Sequence, residues 1–269
     1  MPRSDAQFAG AIPVIYDRLM VPLIFEPYAI DLAERLAGAM PRAILEIAAG
    51  TGALTRMIAA RVPAEARIVA TDLNPPMLDQ AAARLAGDTR IAWQQAEASA
   101  LPFGNARFDV VACQFGAMFF PDKEQAYREA RRVLKPGGRL LFNVWDRIAE
   151  NEFAEAVTDA LALLFPDDPP RFMAHIPHGY HDTKRIRAEL VAAGFETVSV
   201  DAVGFVSRAT SATDAAVAYC QGTPMRNEIE ARDASGLAAA TEAAAAALVR
   251  RFGRGPIEGR IRAYVIEAA

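Results

Sequence analysis

The chain has 269 residues, enough for one large α/β domain or a domain with a lid, with a sizeable buried core. Its net charge of −4 argues against a nucleic-acid binder, because such proteins normally carry a basic face. Cys113 and Cys220 lie far apart and outside any CxxC pair, which excludes a disulfide framework and a cysteine zinc site. The first residues lack a signal-peptide pattern, and no apolar run approaches the ~20 residues of a membrane span, so we expect a cytoplasmic protein.

The first 41 residues show a helical pattern that contains three prolines. Because proline lacks an N–H group and clashes inside a helix, we expect interruptions at Pro13, Pro22 and Pro27. A helix over 26–38 then leads toward the first strand, with Gly38 near its C-terminus.

From residue 42 onward, apolar strand-like runs alternate with helical patterns. They predict strands at 43–48, 68–71, 91–94, 108–114 and 139–145, and helices at 53–61, 75–85 and 122–134. A turn is expected at Pro136-Gly137-Gly138, before the fifth strand. Strands that alternate with helices of this length imply a parallel sheet with helices on both faces.

The alternation ends after Trp145. The pattern predicts helices at 151–165, 183–193 and, with a break at Gly222-Thr223-Pro224, 211–252. Residues 166–180 contain four prolines and are predicted to form a loop. Further strands are predicted at 195–206 and 259–267.

The loop after the first strand, Ala48-Ala49-Gly50-Thr51-Gly52, is followed by a helix and by a second strand that ends at Asp72. This order is the plan of a nucleotide-binding βαβ unit, and glycines without Cβ let the backbone approach a ligand closely. A carboxylate at the end of the second strand is placed to accept hydrogen bonds from both ribose hydroxyls. The alternative is that Asp72 caps the helix that starts near Pro75.

Five blocks occur along the chain in a fixed order: ILEIAAGTG, TDLNPPML, AEASALPF, RFDVVACQFGAMFFPD and VLKPGGRLLF. Over about 16–145 the chain resembles the class I methyltransferases that depend on S-adenosylmethionine (SAM), of the small-molecule type akin to the ubiquinone/menaquinone methyltransferases. The resemblance implies SAM as the cofactor, S-adenosylhomocysteine (SAH) as its product, and methyl transfer to a small organic molecule by in-line displacement. It also implies an α/β fold with a Rossmann-like, doubly wound, seven-stranded sheet whose last strand is antiparallel.

The resemblance also suggests how the chain is divided. We expect an N-terminal helical cap segment at 1–41, a SAM-binding core at 42–147, and a third part at 148–269 that holds strands six and seven. Helical insertions at about 150–180 and 211–252 are expected to cap the substrate. The expected partner is a small molecule, without nucleic acid or a membrane span, and the sequence leaves open whether oxygen, nitrogen or carbon is methylated.

The residues that the resemblance assigns to the cofactor follow the ends of the strands, apart from one in the N-terminal segment. They are Tyr16, Glu46, Ala48, Gly50, Gly52, Asp72, Leu73, Met77, Glu97, Ala98, Gln114, Phe115 and Met118. Tyr16 is expected to close over the cofactor, or else to pack its helix onto the core. Glu46 holds the family's acidic position, and Ala48 replaces its first glycine, which narrows the room for the methionine part of SAM.

Adenine and the methyl group have separate candidate residues. By resemblance, Leu73 and Met77 flank adenine, and Glu97 accepts a hydrogen bond from the exocyclic amine, with Ala98 supplying a backbone N–H. Gln114 is expected near the sulfonium, because ligands of open parallel sheets bind beyond the carboxyl ends of the strands. Phe115 and Met118 line the methyl-transfer zone or simply fill the core.

All three histidines fall within seven residues, beside a tyrosine. His175, His178, Tyr180 and His181 are the candidates for a general base, which would add about 10²–10⁴-fold if the acceptor must lose a proton. A solvated loop is the alternative for any one of them. No metal is expected, because the histidines have no cysteine partners.

Two other functions remain open at this point. An NAD(P)-dependent reductase is disfavoured because Thr55 stands where a dinucleotide site has its third glycine. A non-catalytic SAM-binding protein is compatible with the sequence, because transfer from an activated leaving group can depend on positioning alone.

Overall fold

The computed structural model describes Phe8 and residues 10–269, and it contains one mixed sheet of seven strands. The strands are β1 (Ala43–Ile47), β2 (Arg67–Asp72), β3 (Ile91–Gln95), β4 (Phe108–Gln114), β5 (Leu134–Trp145), β6 (Val198–Ala209) and β7 (Ile257–Ala268). Their order is β3-β2-β1-β4-β5-β7-β6, and the last strand is antiparallel. The expected doubly wound, Rossmann-like α/β fold is therefore confirmed.

Strand β1 lies at the centre of the parallel part of the sheet. Ile44 pairs with Ile68 of β2 on one side and with Val110 of β4 on the other. These three side chains are almost fully buried. Strands that are covered on both faces need continuous apolar runs, which is why β1, β2 and β4 were readable from the sequence.

Strand β5 begins earlier than predicted. Phe108 pairs with Leu134, but Val110 already pairs with Arg139, so β5 uses five positions where β4 uses two. The extra residues form an irregularity inside the strand, with Gly137 at φ 77°. The predicted turn at Pro136-Gly137-Gly138 is therefore wrong as a strand boundary, because the chain pairs on both sides of it.

The helices are α1 (Ile12–Ile15), α2 (Glu26–Ala37), α3 (Ala53–Ala59), α4 (Pro75–Arg84), α5 (Lys123–Val133), α6 (Glu152–Leu164), α7 (Phe172–His175), α8 (Thr183–Ala192), α9 (Ala212–Gln221), α10 (Met225–Arg232) and α11 (Leu237–Phe252). A ten-residue π-helix, Tyr16–Phe25, joins α1 to α2. Helix α7 lies in the stretch predicted as a loop, and β6 starts three residues later than predicted.

The expected helix interruptions at Pro13, Pro22 and Pro27 are wrong, because the chain stays helical from Ile12 to Ala37. Pro13 lies in the first turn of α1, where an N–H group would have no partner within the helix. Pro27 is the second residue of α2, directly after the π-helix. Pro22 lies inside the π-helix, whose bonds span five residues instead of four, as in Glu26 N–H to Val21 O. This wider turn accommodates a ring that would clash with an α-helical carbonyl.

Contacts divide the chain into two units. The first consists of Met1–Glu26 as far as it is described, Trp145–Tyr180 and Gly204–Arg262, and the second of Pro27–Val144, His181–Val203 and Ala263–Ala269. In the second unit, a core between sheet and helices includes Leu32 and Leu36 of α2, Ile44 of β1 and Ile58 of α3. In the first unit, α11 packs against α6 and α9 through fully buried alanines such as Ala240 and Ala244.

The first unit also contains a chain of aromatic rings. The ring centroids of Tyr16 and Phe25 are 5.1 Å apart, those of Phe25 and Trp145 5.9 Å, and those of Trp145 and His178 5.9 Å. Such spacings are in the range of favourable aromatic pairs. In the described part of the chain, no helix has the length and apolar character needed to cross a membrane.

Candidate functional site

The loop after β1 contains three left-handed residues in alternation. Ala48 has φ 55°, Gly50 has φ 57° and Gly52 has φ 79°. A Cβ on Gly52 would lie 3.1 Å from the Cβ of Ala81 and 3.3 Å from the ring of Trp93, so glycine permits close packing there. The loop is tied to β2, because the N–H of Ala49 donates to the carbonyl of Thr71 at 2.8 Å.

Asp72 lies at the carboxyl end of β2 and its carboxylate faces this loop. Its Oδ2 accepts from the N–H of Gly50 at 2.9 Å, and its Oδ1 accepts from the N–H and the side-chain amide of Asn74 at 2.8 and 3.2 Å. Burial raises the pKa of Asp72, and the N–H bonds oppose that shift. Helix α4 has Asn74 as its N-cap, so the alternative of Asp72 as the cap is wrong.

The loop after β1 and the Asp72 carboxylate are compatible with binding a nucleoside that carries an amino-acid chain. A carboxylate offers about four lone-pair sites, and the bonds from Gly50 and Asn74 use three of them, so two ribose hydroxyls would have to share or replace the bonds from Asn74. Thr51 is 2% exposed, and its hydroxyl has no hydrogen-bond partner among the described residues. Met77 is buried next to the loop, since its Cε lies 3.6 Å from where a Cβ on Gly50 would be.

The other predicted adenine contacts are placed at the ends of β2 and β3. The Leu73 side chain is 37% exposed, and its carbonyl accepts from the side-chain amide of Gln95 at 3.0 Å. Glu97 is half-buried and accepts from the hydroxyl of Ser99 at 3.3 Å, while Ala98 is buried. Parallel pairing of β2 and β3 brings both turns to the edge that carries Asp72.

Glu46 is 1% exposed and lies one position before the end of β1. The hydroxyl of Thr55 donates to its Oε2 at 2.6 Å. Burial raises the pKa of Glu46 to about 8, and the negative charge of Asp72 acts in the same direction. Thr55, which the sequence marked only as a missing glycine, is therefore the partner of a buried carboxyl group.

The loop after β4 is held by β5 and by the loop after β1. Gln114 pairs with Asn143 across the two strands, and the Oδ1 of Asn143 accepts from the N–H of Phe115 at 2.9 Å. Phe115 adopts φ 50°, and its buried ring meets Tyr28 edge to face at 5.2 Å. Met118 is buried in the turn that follows. Sequence reasoning missed Asn143, because no local pattern marks it.

Gly116 lies where the two loops meet. A Cβ there would be 2.5 Å from the Cβ of Ala48 and 2.8 Å from the Sγ of Cys113. The alanine that replaces the family's first glycine therefore occupies space beside Gly116, and not only beside the cofactor.

We expect Gly116→Ala to lower the free energy of unfolding by about 1–3 kcal/mol, the usual cost of overpacking. Combining it with Ala48→Gly removes one of the two clashing atoms and is expected to restore part of the loss. Urea denaturation of the two single variants and the double variant measures this coupling. Strictly additive losses would contradict the contact.

The candidates for a general base differ in burial and in the unit to which they belong. His175 is exposed at the end of α7, whereas His178 and Tyr180 are buried in the first unit and His181 belongs to the second unit. The Nδ1–H of His178 donates to the carbonyl of Asp146 at 2.8 Å, which leaves Nε2 as the basic nitrogen. Across the described residues, no group of three His, Cys, Asp or Glu side chains is arranged to hold a metal ion.

Comparisons with known proteins identify the family. Residues 44–138 match the model of a methyltransferase domain. The chain is 36% identical over 180 residues to the ubiquinone/menaquinone biosynthesis C-methyltransferase UbiE of Ectopseudomonas mendocina, a match that covers 61% of this chain and 69% of the relative.

Solved structures agree on the fold. One is a Haemonchus contortus phosphoethanolamine N-methyltransferase 2 in complex with phosphomonomethylethanolamine and SAH, with TM-score 0.58 at 16% identity, covering 96% of this chain and 56% of that one. Another is the [4+2]-cyclase SpnF, with TM-score 0.53 at 19% identity, covering 87% and 80%.

The chain therefore belongs to the class I, SAM-dependent methyltransferases of the small-molecule type. It is an enzyme that uses SAM as its cofactor and methylates a small molecule. This result sets aside the NAD(P)-dependent reductase and the non-catalytic SAM-binding protein.

Proposed function

We propose that the enzyme transfers the methyl group to a carbon atom of an aromatic, quinone-related small molecule. The observation that carries this proposal is the 36% identity to a relative named as a ubiquinone/menaquinone C-methyltransferase. The aromatic rings of Tyr16, Phe25, Trp145 and His178 in the first unit support it, because an aromatic acceptor binds favourably against such rings.

The cofactor is proposed to lie along the edge of the sheet at which β1, β2 and β4 end. Asp72 would accept from the ribose hydroxyls, while Met77, Glu97 and the backbone at Ala98 would hold adenine. Backbone groups of Ala48 and Gly52 would face the methionine part. The N–H of Gly50 already donates to Asp72, so that residue would contribute its small size more than its donor.

The residues of this chain act mainly by placing the reactants. SAM supplies an activated methyl group on a positively charged sulfur, and displacement in line with the C–S bond releases SAH. The loop Gln114–Met118 would enclose the sulfur and exclude water, and positioning alone supplies a large part of the rate. If the attacked carbon must lose a proton, the candidates for its acceptor remain His175, His178, Tyr180 and His181.

We also propose that residues 150–180 and 211–252 determine which acceptor is used, and that residues 1–41 contribute a cap. The core over 42–147 supplies the cofactor loops and is shared by the family. A cytoplasmic location is part of the same proposal, and the two cysteines, both free and buried, are compatible with it.

Two measurements test the proposal. Calorimetric titration with SAH is expected to show binding at sub-millimolar concentration. Incubation with labelled SAM and a panel of hydroquinones, phenols and amines is expected to label carbon in the hydroquinones. Exclusive labelling of oxygen or nitrogen would contradict the proposed acceptor while leaving the family assignment intact.

A further inference from the structure

We propose that Asn143 is a positioning residue, which fixes the loop Gln114–Met118 against the sulfonium end of the cofactor. The proposal rests on the proposed placement of SAM beside this loop. Asn143 lies on β5, is completely buried, and pairs in register with Gln114 at the carboxyl end of β4.

The side chain of Asn143 holds the backbone of the loop directly. Its Oδ1 accepts from the N–H of Phe115 at 2.9 Å, a better geometry than the 3.3 Å bond from the same N–H to the Asn143 carbonyl. Phe115 is left-handed at φ 50°, which is uncommon for a bulky residue and needs support from its surroundings. Asn143 supplies that support by giving the N–H of the strained residue its acceptor.

The side-chain amide of Asn143 also has an energetically unfavourable feature. Its Nδ2 is buried and has no hydrogen-bond partner among the described residues. An unsatisfied buried donor and a strained residue that meet at one hydrogen bond are features that a fold retains where they shape a functional site. Both lie at the edge of the sheet where ligands of this fold class bind.

Gly116 restricts the conformations that the loop Gln114–Met118 can adopt. The residue after Phe115 has no space for a Cβ, because Ala48 and Cys113 already fill that space. A loop released from Asn143 therefore cannot shift toward β1 and must move away from it. The sulfur and the methionine part of the cofactor would then lose their contacts with the loop Gln114–Met118. The adenosine part, proposed to bind near β2 and β3, would keep its contacts.

This difference defines the test. In Asn143→Leu, which removes the acceptor and retains the volume, we expect SAH to bind about tenfold more weakly, while adenosine competes with SAH at an affinity within twofold of the wild type. Asn143→Asp retains an oxygen at Oδ1 and is expected to keep SAH affinity within about threefold. Both are measured by calorimetry on the full chain.

The matched control is Val144→Ala, one residue further along β5, where a fully buried side chain points to the other face of the sheet. It is expected to lower the unfolding temperature without changing either affinity. Equal weakening of SAH and adenosine in Asn143→Leu would overturn the proposal, and so would wild-type binding of SAH. Failure of methyl transfer to quinone-type acceptors would not affect this result, since no acceptor is present.

Discussion

Replacing Asp72 by alanine is expected to weaken SAH binding by about 10²- to 10⁴-fold. The proposed role is acceptance of two hydrogen bonds from ribose hydroxyls, and bonds to a charged acceptor contribute about 1.5–3 kcal/mol each. The sum corresponds to two to four decades in affinity, at about 1.4 kcal/mol per tenfold change. Calorimetric titration of the purified variant with SAH measures it.

Alanine also removes the acceptor of the Gly50 and Asn74 N–H groups, so part of the loss could come from a distorted loop. Asp72→Asn helps to separate the two causes, because it loses the negative charge but keeps one oxygen, which can accept from Gly50 or from Asn74. We expect it to lose less unfolding free energy than Asp72→Ala and still to bind SAH at least tenfold more weakly.

The control is Asp79→Ala on α4, which removes the same charge from an exposed position a few residues along the chain. Its SAH affinity is expected to equal that of the wild type. If Asp72→Asn bound SAH as tightly as the wild type, Asp72 would be only a structural acceptor for the loop. Another group would then have to hold the ribose.

Strands and the cofactor loop were predictable because their determinants are local. Five of the seven strands are parallel neighbours built from short apolar runs, and glycines mark the turn after β1. The place of Asp72 at the end of β2 was predicted from the sequence, and its carboxylate accepts from the N–H of Gly50 in the loop. Its role toward the ribose stays a prediction. The resemblance to methyltransferases added the cofactor's identity, which the family comparison confirms.

What could not be predicted depends on residues that meet only after folding. Asn143 contacts Phe115 from a different strand, and Thr55 reaches Glu46 from a helix. Neither pair leaves a periodic signal. The prolines led to a wrong prediction of helix interruptions. The rule against proline inside a helix applies to α-helices, whereas Pro22 lies in a π-helix.

We expect the burial of Glu46 to make the free energy of unfolding of the apo-protein depend on pH. Burial raises the pKa of Glu46 from 4.5 to about 8, so the folded chain holds a proton that the unfolded chain loses at lower pH. Between these two values, the folded state binds more protons than the unfolded state. The stabilisation associated with protonated Glu46 is therefore full below about pH 4.5 and is lost as pH rises to about 8.

Glu46→Gln is expected to remove this pH dependence, because glutamine resembles the protonated acid and can still accept from the Thr55 hydroxyl. Relative to the variant, the wild type should lose about 1.4 kcal/mol of unfolding free energy per pH unit across that window, a few kcal/mol in all. Urea denaturation of both proteins at pH 5, 6.5 and 8 measures the difference, with the exposed Glu242→Gln as a control for losing one charge.

A constant difference between wild type and Glu46→Gln over this range would mean that Glu46 ionises as readily in the folded chain as in the unfolded one. The carboxyl group would then be charged within β1 before SAM arrives, whereas burial favours the neutral acid and the hydrogen bond from Thr55 only partly opposes that effect.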